Sequence, residues 1–185
     1  MEQNFQHREN LVIQLKEAYG RVAYTYTTHL KMVDQLVIKN TIIKYVQILM
    51  SAISTGGFFG SIIIESTIIT IVGGIFSSTL LAINLFFKDF NLLEEIKQHR
   101  TTAENLWMVR EDYISLLTDF SVLGNEDIIA KRDELQLRVH QINKVAPKAD
   151  SKAYSKAQKA LQSEEEQFFS SDEMNKILPP HLRDE

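Results

Sequence analysis

YVQILMSAISTGGFFGSIII (residues 45–64) and STIITIVGGIFSSTLLAINLFF (residues 66–87) decide how this chain folds. Between positions 45 and 87 the sole formal charge is Glu65, whereas the chain as a whole carries 20 Lys and Arg and 24 Asp and Glu. Charge has been kept out of one stretch. A helix rises about 1.5 Å per residue and needs about 20 residues to cross about 30 Å of hydrocarbon, so each segment is long enough to span a bilayer alone. The junction Ile64-Glu65-Ser66-Thr67 leaves room only for a tight antiparallel turn. The expected fold class is all-α: an integral membrane helical hairpin of two transmembrane helices, with long helices before and after it.

The two spans differ in strength. The second holds twelve Ile, Leu, Val and Phe residues, worth roughly −4 to −7 kcal/mol of insertion free energy before polar costs. The first carries Gln47, Ser51, Ser54, Thr55 and Ser61 and is expected to insert together with its neighbour. A signal peptide fits poorly, because a long polar segment precedes the apolar stretch and no cleavage pattern follows. Lys31, Lys39 and Lys44 precede the first span, Lys88, Lys97 and Arg100 follow the second, and the turn has no basic residue. Basic residues stay on the cytoplasmic side, which puts both termini in the cytoplasm. The alternative is a hairpin buried inside a soluble helical protein, as in a secreted toxin. Covering two such helices takes many neighbours, and the flanks offer about four.

These segments divide the chain into an N-terminal cytoplasmic amphipathic helix (1–40), the hairpin (41–88) and a C-terminal cytoplasmic helical region (89–185). The mean hydropathy of −0.14 averages unlike parts and hides the hairpin. A net charge of −4 argues against nucleic-acid binding, and the absence of cysteine excludes disulfides. Ahead of the hairpin, Leu15, Tyr19, Val22, Tyr26, His29, Val33 and Leu36 recur at helical spacing, with a break expected at Asn40-Thr41 and a possible kink at Gly20. After it, one helix is expected to run straight on through Leu92, Ile96, His99, Ala103, Leu106, Arg110, Tyr113, Leu117 and Phe120 until Gly124-Asn125. Asn125-Glu126-Asp127 and Asp150-Ser151 read as starts of two further helices, and Ser171-Asp172-Glu173 as a short turn stopped by Pro179-Pro180. The stripes before and after the membrane leave on the same side and can pack together. His29 and His99 read as buried interface residues or, more sharply, as a pH or ligand sensor.

Chemistry is absent where it would be looked for. The five histidines show no metal-ligand spacing, no phosphate-binding glycine loop exists outside the hairpin, and no nucleophile elbow can be read. Neither an enzyme, nor a cofactor, nor a metal site is expected.

The polar residues within the spans are periodic. Gln47, Ser54 and Ser61 are seven apart, and so are Thr70, Ser77 and Asn84. Seven residues are nearly two turns, so each trio forms one stripe, and polar stripes turn away from lipid toward helices or water. Gly56-x-x-x-Gly60, Gly73-x-x-x-Ser77 and Gly74-x-x-x-Ser78 supply small pairs for close helix packing. Two readings stay open: a polar weld between helices, or the lining of a pore built from several copies.

The layout resembles the SLATT family, two-transmembrane effector domains associated with bacterial nucleotide-signalling and conflict systems. The resemblance is carried by Tyr24-x-x-x-x-His29-Leu30, by Asn40 ahead of Ser51-Ala52-Ile53 and Gly56-Gly57, and by His99, Ala103, Trp107, Arg110-Glu111 and Tyr113-Ile114-Ser115-Leu116-Leu117. Tyr154-Ser155-Lys156-Ala157 and Leu178-Pro179-Pro180-His181-Leu182 are similar to one branch of it. The resemblance implies an oligomeric, pore-forming effector of antiviral (antiphage) defence in the bacterial inner (plasma) membrane. It implies a partner sensor encoded alongside, a cyclic-oligonucleotide synthase or a reverse transcriptase. The stripes on the flanking helices make His29, His99, Trp107, Arg110 and Tyr113 the candidate cytoplasmic helix seam. Rival readings are a non-conducting membrane scaffold and a small channel or transporter subunit in ordinary physiology.

Overall fold

A computed structural model describes residues 2–64, 66–88 and 91–183, and all regular structure among them is helical. Six α-helices follow one another: α1 (Glu2–Ile64), α2 (Thr67–Lys88), α3 (Leu92–Thr118), α4 (Asn125–Val145), α5 (Ser151–Gln162) and α6 (Ser171–Ile177). They form two compact units, one of residues 1–31 and 101–185, the other of residues 32–100.

Two expectations about helix ends are corrected. No break occurs at Asn40-Thr41: α1 runs as one helix from Glu2 to Ile64. A cap residue ends a helix only when its side chain captures a backbone N–H, and a helix already hydrogen-bonded on both sides gives it none to capture. The second correction lies after α2, where a straight continuation was expected. Asn91 is instead non-helical and starts α3: its side-chain oxygen accepts from the Glu94 N–H at 3.2 Å, and its backbone oxygen accepts from Glu95 N–H at 3.1 Å. Glu94 and Glu95 then place negative charge at the positive end of α3. The expected turn at Glu65 lies outside the described residues.

The first unit has the core. Leu11, Leu15, Ala18 and Val22 of α1 pack with Leu106, Val109, Tyr113 and Leu116 of α3 and with Ile128 and Leu135 of α4, all nearly or fully buried. The three-and-four spacing on each helix puts these side chains on one face, which is why three helices can share them. At the α3–α4 corner Arg8 reaches across from α1. Its guanidinium donates to Asn125 Oδ1 at 2.8 Å, to the Leu123 carbonyl at 3.0 Å and to the Phe120 carbonyl, and lies 4.7 Å over the Phe120 ring. Asn125 therefore does not cap α4; Gly124 occupies the N-cap position without a side-chain bond.

The tail lies back along α1. Asp150 caps α5 by accepting from the Ala153 N–H at 2.6 Å, and Ala153, Ala157 and Ala160 are fully buried, small enough to let α5 sit close. Beyond α5, Gln167 donates to Thr27 Oγ1 at 2.8 Å and Lys31 donates to both Glu166 carboxylate oxygens at 2.7 and 2.8 Å. The segment read as a short turn is helix α6, started by a reciprocal capping box between Ser170 and Glu173.

The second unit is the opposite of a covered core. Among the described residues two helices are long and apolar enough to cross a membrane, yet only 11 % and 6 % of their most apolar windows are buried. Ile48, Phe58, Ile63, Ile68, Ile75 and Leu85 are each more than half exposed. A hairpin sheathed within a soluble bundle would be covered on most sides. An open apolar belt of this kind requires lipid or protein to cover it.

Candidate functional site

The polar residues of the second unit face one another. Gln47 Nε2 of α1 donates to Asn84 Oδ1 of α2 at 2.9 Å. One heptad further along each helix, the Ser54 and Ser77 hydroxyls are hydrogen-bonded to each other. A seven-residue step along α1 thus meets a seven-residue step in the opposite direction along α2. The next pair in that register is Ser61 with Thr70. The Ser61 side chain lies outside the described residues, and the Thr70 hydroxyl donates to the Ser66 carbonyl of its own helix at 3.2 Å.

Continued toward the base, the same register reaches Asn40 and Asn91. Asn40, Lys44, Gln47, Asn84 and Asn91 line a cavity of about 350 Å³ there. Four carboxamides and one ammonium around one opening make a polar mouth below an otherwise apolar pair. Each amide has up to four hydrogen-bonding sites, so a cavity lined by them attracts water or a polar group.

Glycines set the spacing above that mouth. A Cβ placed on Gly57 would stand 3.4 Å from Gly73 Cα, and one on Gly73 would stand 3.7 Å from the Gly57 carbonyl carbon. The backbones therefore pass with no room for more than a methyl group between them. Gly60 lies nearby, its virtual Cβ 3.8 Å from the Ile69 side chain. Gly56 and Gly74, expected in the packing, have nothing within 4 Å and do not contribute to this crossing. Gly57 was missed because it adjoins Gly56, and spacing alone does not say which of two neighbours faces the partner. Ser78 donates to the Gly74 carbonyl at 2.9 Å, satisfying itself within its own helix.

The residues of the expected cytoplasmic seam are divided between the two units. His29 and Tyr113 are buried in the first unit, and His99 in the second. Arg110 is half-buried, pairs with Glu111 at 2.5 Å and lies 5.9 Å from the Tyr19 ring. Trp107 is 48 % exposed while its neighbour Leu106 is fully buried. One residue is a rotation of about 100° on a helix, which carries Trp107 off the buried stripe. Burial pushes the Tyr113 phenol above its ordinary value, partly offset by the charges of Arg21 and Arg132. Among the described residues, no three His, Asp or Glu side chains gather as a metal site.

A family model described as SMODS and SLOG-associating 2TM effector domain family 4 matches residues 11–173. No curated protein and no solved structure matches the chain.

Proposed function

The chain belongs to this family of two-transmembrane effector domains associated with antiphage conflict systems, and on that premise we propose that it is a non-enzymatic membrane effector. It sits in the bacterial inner membrane with both termini cytoplasmic, assembles from several copies, and permeabilises the bilayer when a partner sensor signals. The partner is a nucleotide synthase or reverse transcriptase encoded nearby. The observation that carries this reading is the pairing of an open apolar belt with a hydrogen-bonded polar seam.

Lipid covers the belt without cost to side chains such as Ile63 and Ile68. The seam joins Gln47 to Asn84 and Ser54 to Ser77, so these polar side chains meet one another across the pair. Two helices enclose no lumen. Conduction therefore requires several copies and a rearrangement that turns some of these groups toward water. Such a path carries hydroxyls and amides but no fixed charge, so it discriminates weakly among small ions.

Two experiments test the proposal. Ser66→Cys should react with an impermeant thiol reagent added outside intact cells, and Ser121→Cys should not; the native chain has no cysteine to confuse the result. Labelling of Ser121→Cys alone would overturn the orientation. Expression together with the neighbouring sensor should admit a membrane-impermeant dye and depolarise cells. Stable membrane residence with no dye entry under that condition would identify a scaffold instead.

A further inference from the structure

Within the first unit, α1, α3, α4 and α5 leave a cavity of about 610 Å³, inside the ~300–1,000 Å³ range of small-molecule sites. Tyr24 and Tyr154 lie side by side on its wall, ring centroids 5.9 Å apart and 28° from parallel. Gln162 donates to the Tyr24 hydroxyl at 2.7 Å, which fixes that ring. Tyr154 is 53 % exposed and presents a face to incoming molecules. The fully buried Tyr113 forms the inner wall.

The polar groups of the same cavity are of two kinds. Gln136 and Asn143 on α4 bring carboxamides, each able to donate and accept. Arg21 brings a guanidinium whose ion pair with Glu17 is long, 3.6 Å, with both side chains 67 % exposed. Such a pair contributes little and yields readily to a better anion. Among the described residues no Asp or Glu lines this cavity, although the chain as a whole is acidic.

Planar rings, amide donors and acceptors, and one available cation select for a ligand that is aromatic, hydrogen-bonding and anionic at once. An acyl chain would leave the amides unpaired. Inorganic phosphate would leave the aromatic wall unused. We propose that this cavity binds a nucleotide, its base stacked on Tyr154, the base edge read by Gln136 and Asn143, and a phosphate held by Arg21. This rests on the reading of the chain as a triggered effector and narrows the trigger to a small nucleotide acting on the effector itself. No linear motif announces the site, because its residues come from positions 21–24, 113, 136–143 and 154.

The test is isothermal titration of the full chain in lipid nanodiscs with cyclic di-AMP, cyclic di-GMP, AMP and GMP, and with adenosine and pyrophosphate as fragments. At least one of the four nucleotides should bind, and each fragment should bind at least about tenfold more weakly, since stacking and charge each contribute about that much. A preference for the cyclic over the linear compounds would identify a signalling dinucleotide; the reverse would identify the mononucleotide pool. Tyr154→Ala and Arg21→Glu should each weaken binding about tenfold or more, while Tyr154→Phe retains it. Both weakening positions are exposed, and unchanged helical circular dichroism shows that the variants fold. No heat from any of the four nucleotides, or equal binding by Tyr154→Ala, Arg21→Glu and the parent, would overturn the site. Binding is read without conduction, so the two readings fail separately. Dye entry without nucleotide binding removes this site alone, and nucleotide binding without dye entry leaves the site standing while removing the pore.

Discussion

Arg8 shows how much one residue can organise. Its guanidinium satisfies two carbonyls just beyond the end of α3, Phe120 and Leu123, and also the Asn125 side chain at the start of α4. Helix ends leave carbonyls without intrahelical partners, and a fork of charged donors suits several at once. Arg8→Ala should therefore destabilise the first unit by about 1–3 kcal/mol, the cost of leaving such groups unpaired. Arg8→Lys should recover only part, because an ammonium is a point charge and cannot reach three acceptors in a fork. Chemical denaturation read by helical circular dichroism checks both; equal stability of all three proteins would remove Arg8 from the corner. Tyr113 offers a second test, by pH. Burial raises its phenol above the ordinary value of 10.0, with Arg21 and Arg132 opposing. The folded state thus holds this proton more tightly than the unfolded chain. The associated stability is fully present below the ordinary value and is lost as pH rises through the raised one. Alkaline unfolding should steepen above pH 10, and Tyr113→Phe should remove that component. Identical alkaline profiles for the two proteins would contradict it.

Between α1 and α2 the decisive element is the glycine crossing. Gly57→Leu would drive a side chain into the Gly73 backbone, where even a Cβ stands at 3.4 Å, and should cost about 1–3 kcal/mol by overpacking. It should also part the Ser54–Ser77 and Gln47–Asn84 bonds. Gly56→Leu meets open space and should leave thermal unfolding of a single copy in detergent unchanged. Equal losses for both variants would place the crossing elsewhere. This contrast also marks how far the sequence is legible. The seven-residue spacing picks out Gln47 and Ser54 against Ser77 and Asn84, the four side chains that pair, because period is a property of the sequence itself. Choosing between adjacent glycines depends on the angle at which two helices meet, and no single helix contains that angle. The break before α3 was hidden for a related reason. The apolar period runs across it, while Asn91 starts a new helix through one side-chain bond that spacing does not reveal. The corner held by Arg8 was likewise invisible, since its partners lie more than a hundred positions away. The cavity between Tyr24 and Tyr154 follows from α5 folding back, which composition does not announce.

At the scale of the whole molecule, the question is whether the seam opens when the effector acts. In the described structure it is shut, with Ser54 and Ser77 in direct hydrogen-bonded contact. If the active assembly lines its path with these groups, α1 and α2 must separate or rotate at this level. If the seam is a permanent weld, the path runs between copies and the pair stays intact. The double variant Ser54→Cys, Ser77→Cys distinguishes them, because two side chains already in contact can be joined by a disulfide and the native chain has no cysteine to interfere. In liposomes containing the reconstituted effector and its sensor, the oxidised variant should fail to release trapped dye, and reduction should restore release. Each single-cysteine variant, treated with the same oxidant, should behave like the parent. Asn84→Leu should act in the same direction without a crosslink, since it removes the Gln47 partner and adds apolar surface that resists wetting. Asn84→Asp should instead bias conductance toward cations by placing a fixed negative charge on the path. A crosslinked pair that releases dye as fast as its reduced form, together with unaltered ion preference in Asn84→Asp, would show that the seam never opens and that the exposed faces of α1 and α2 bound the path instead.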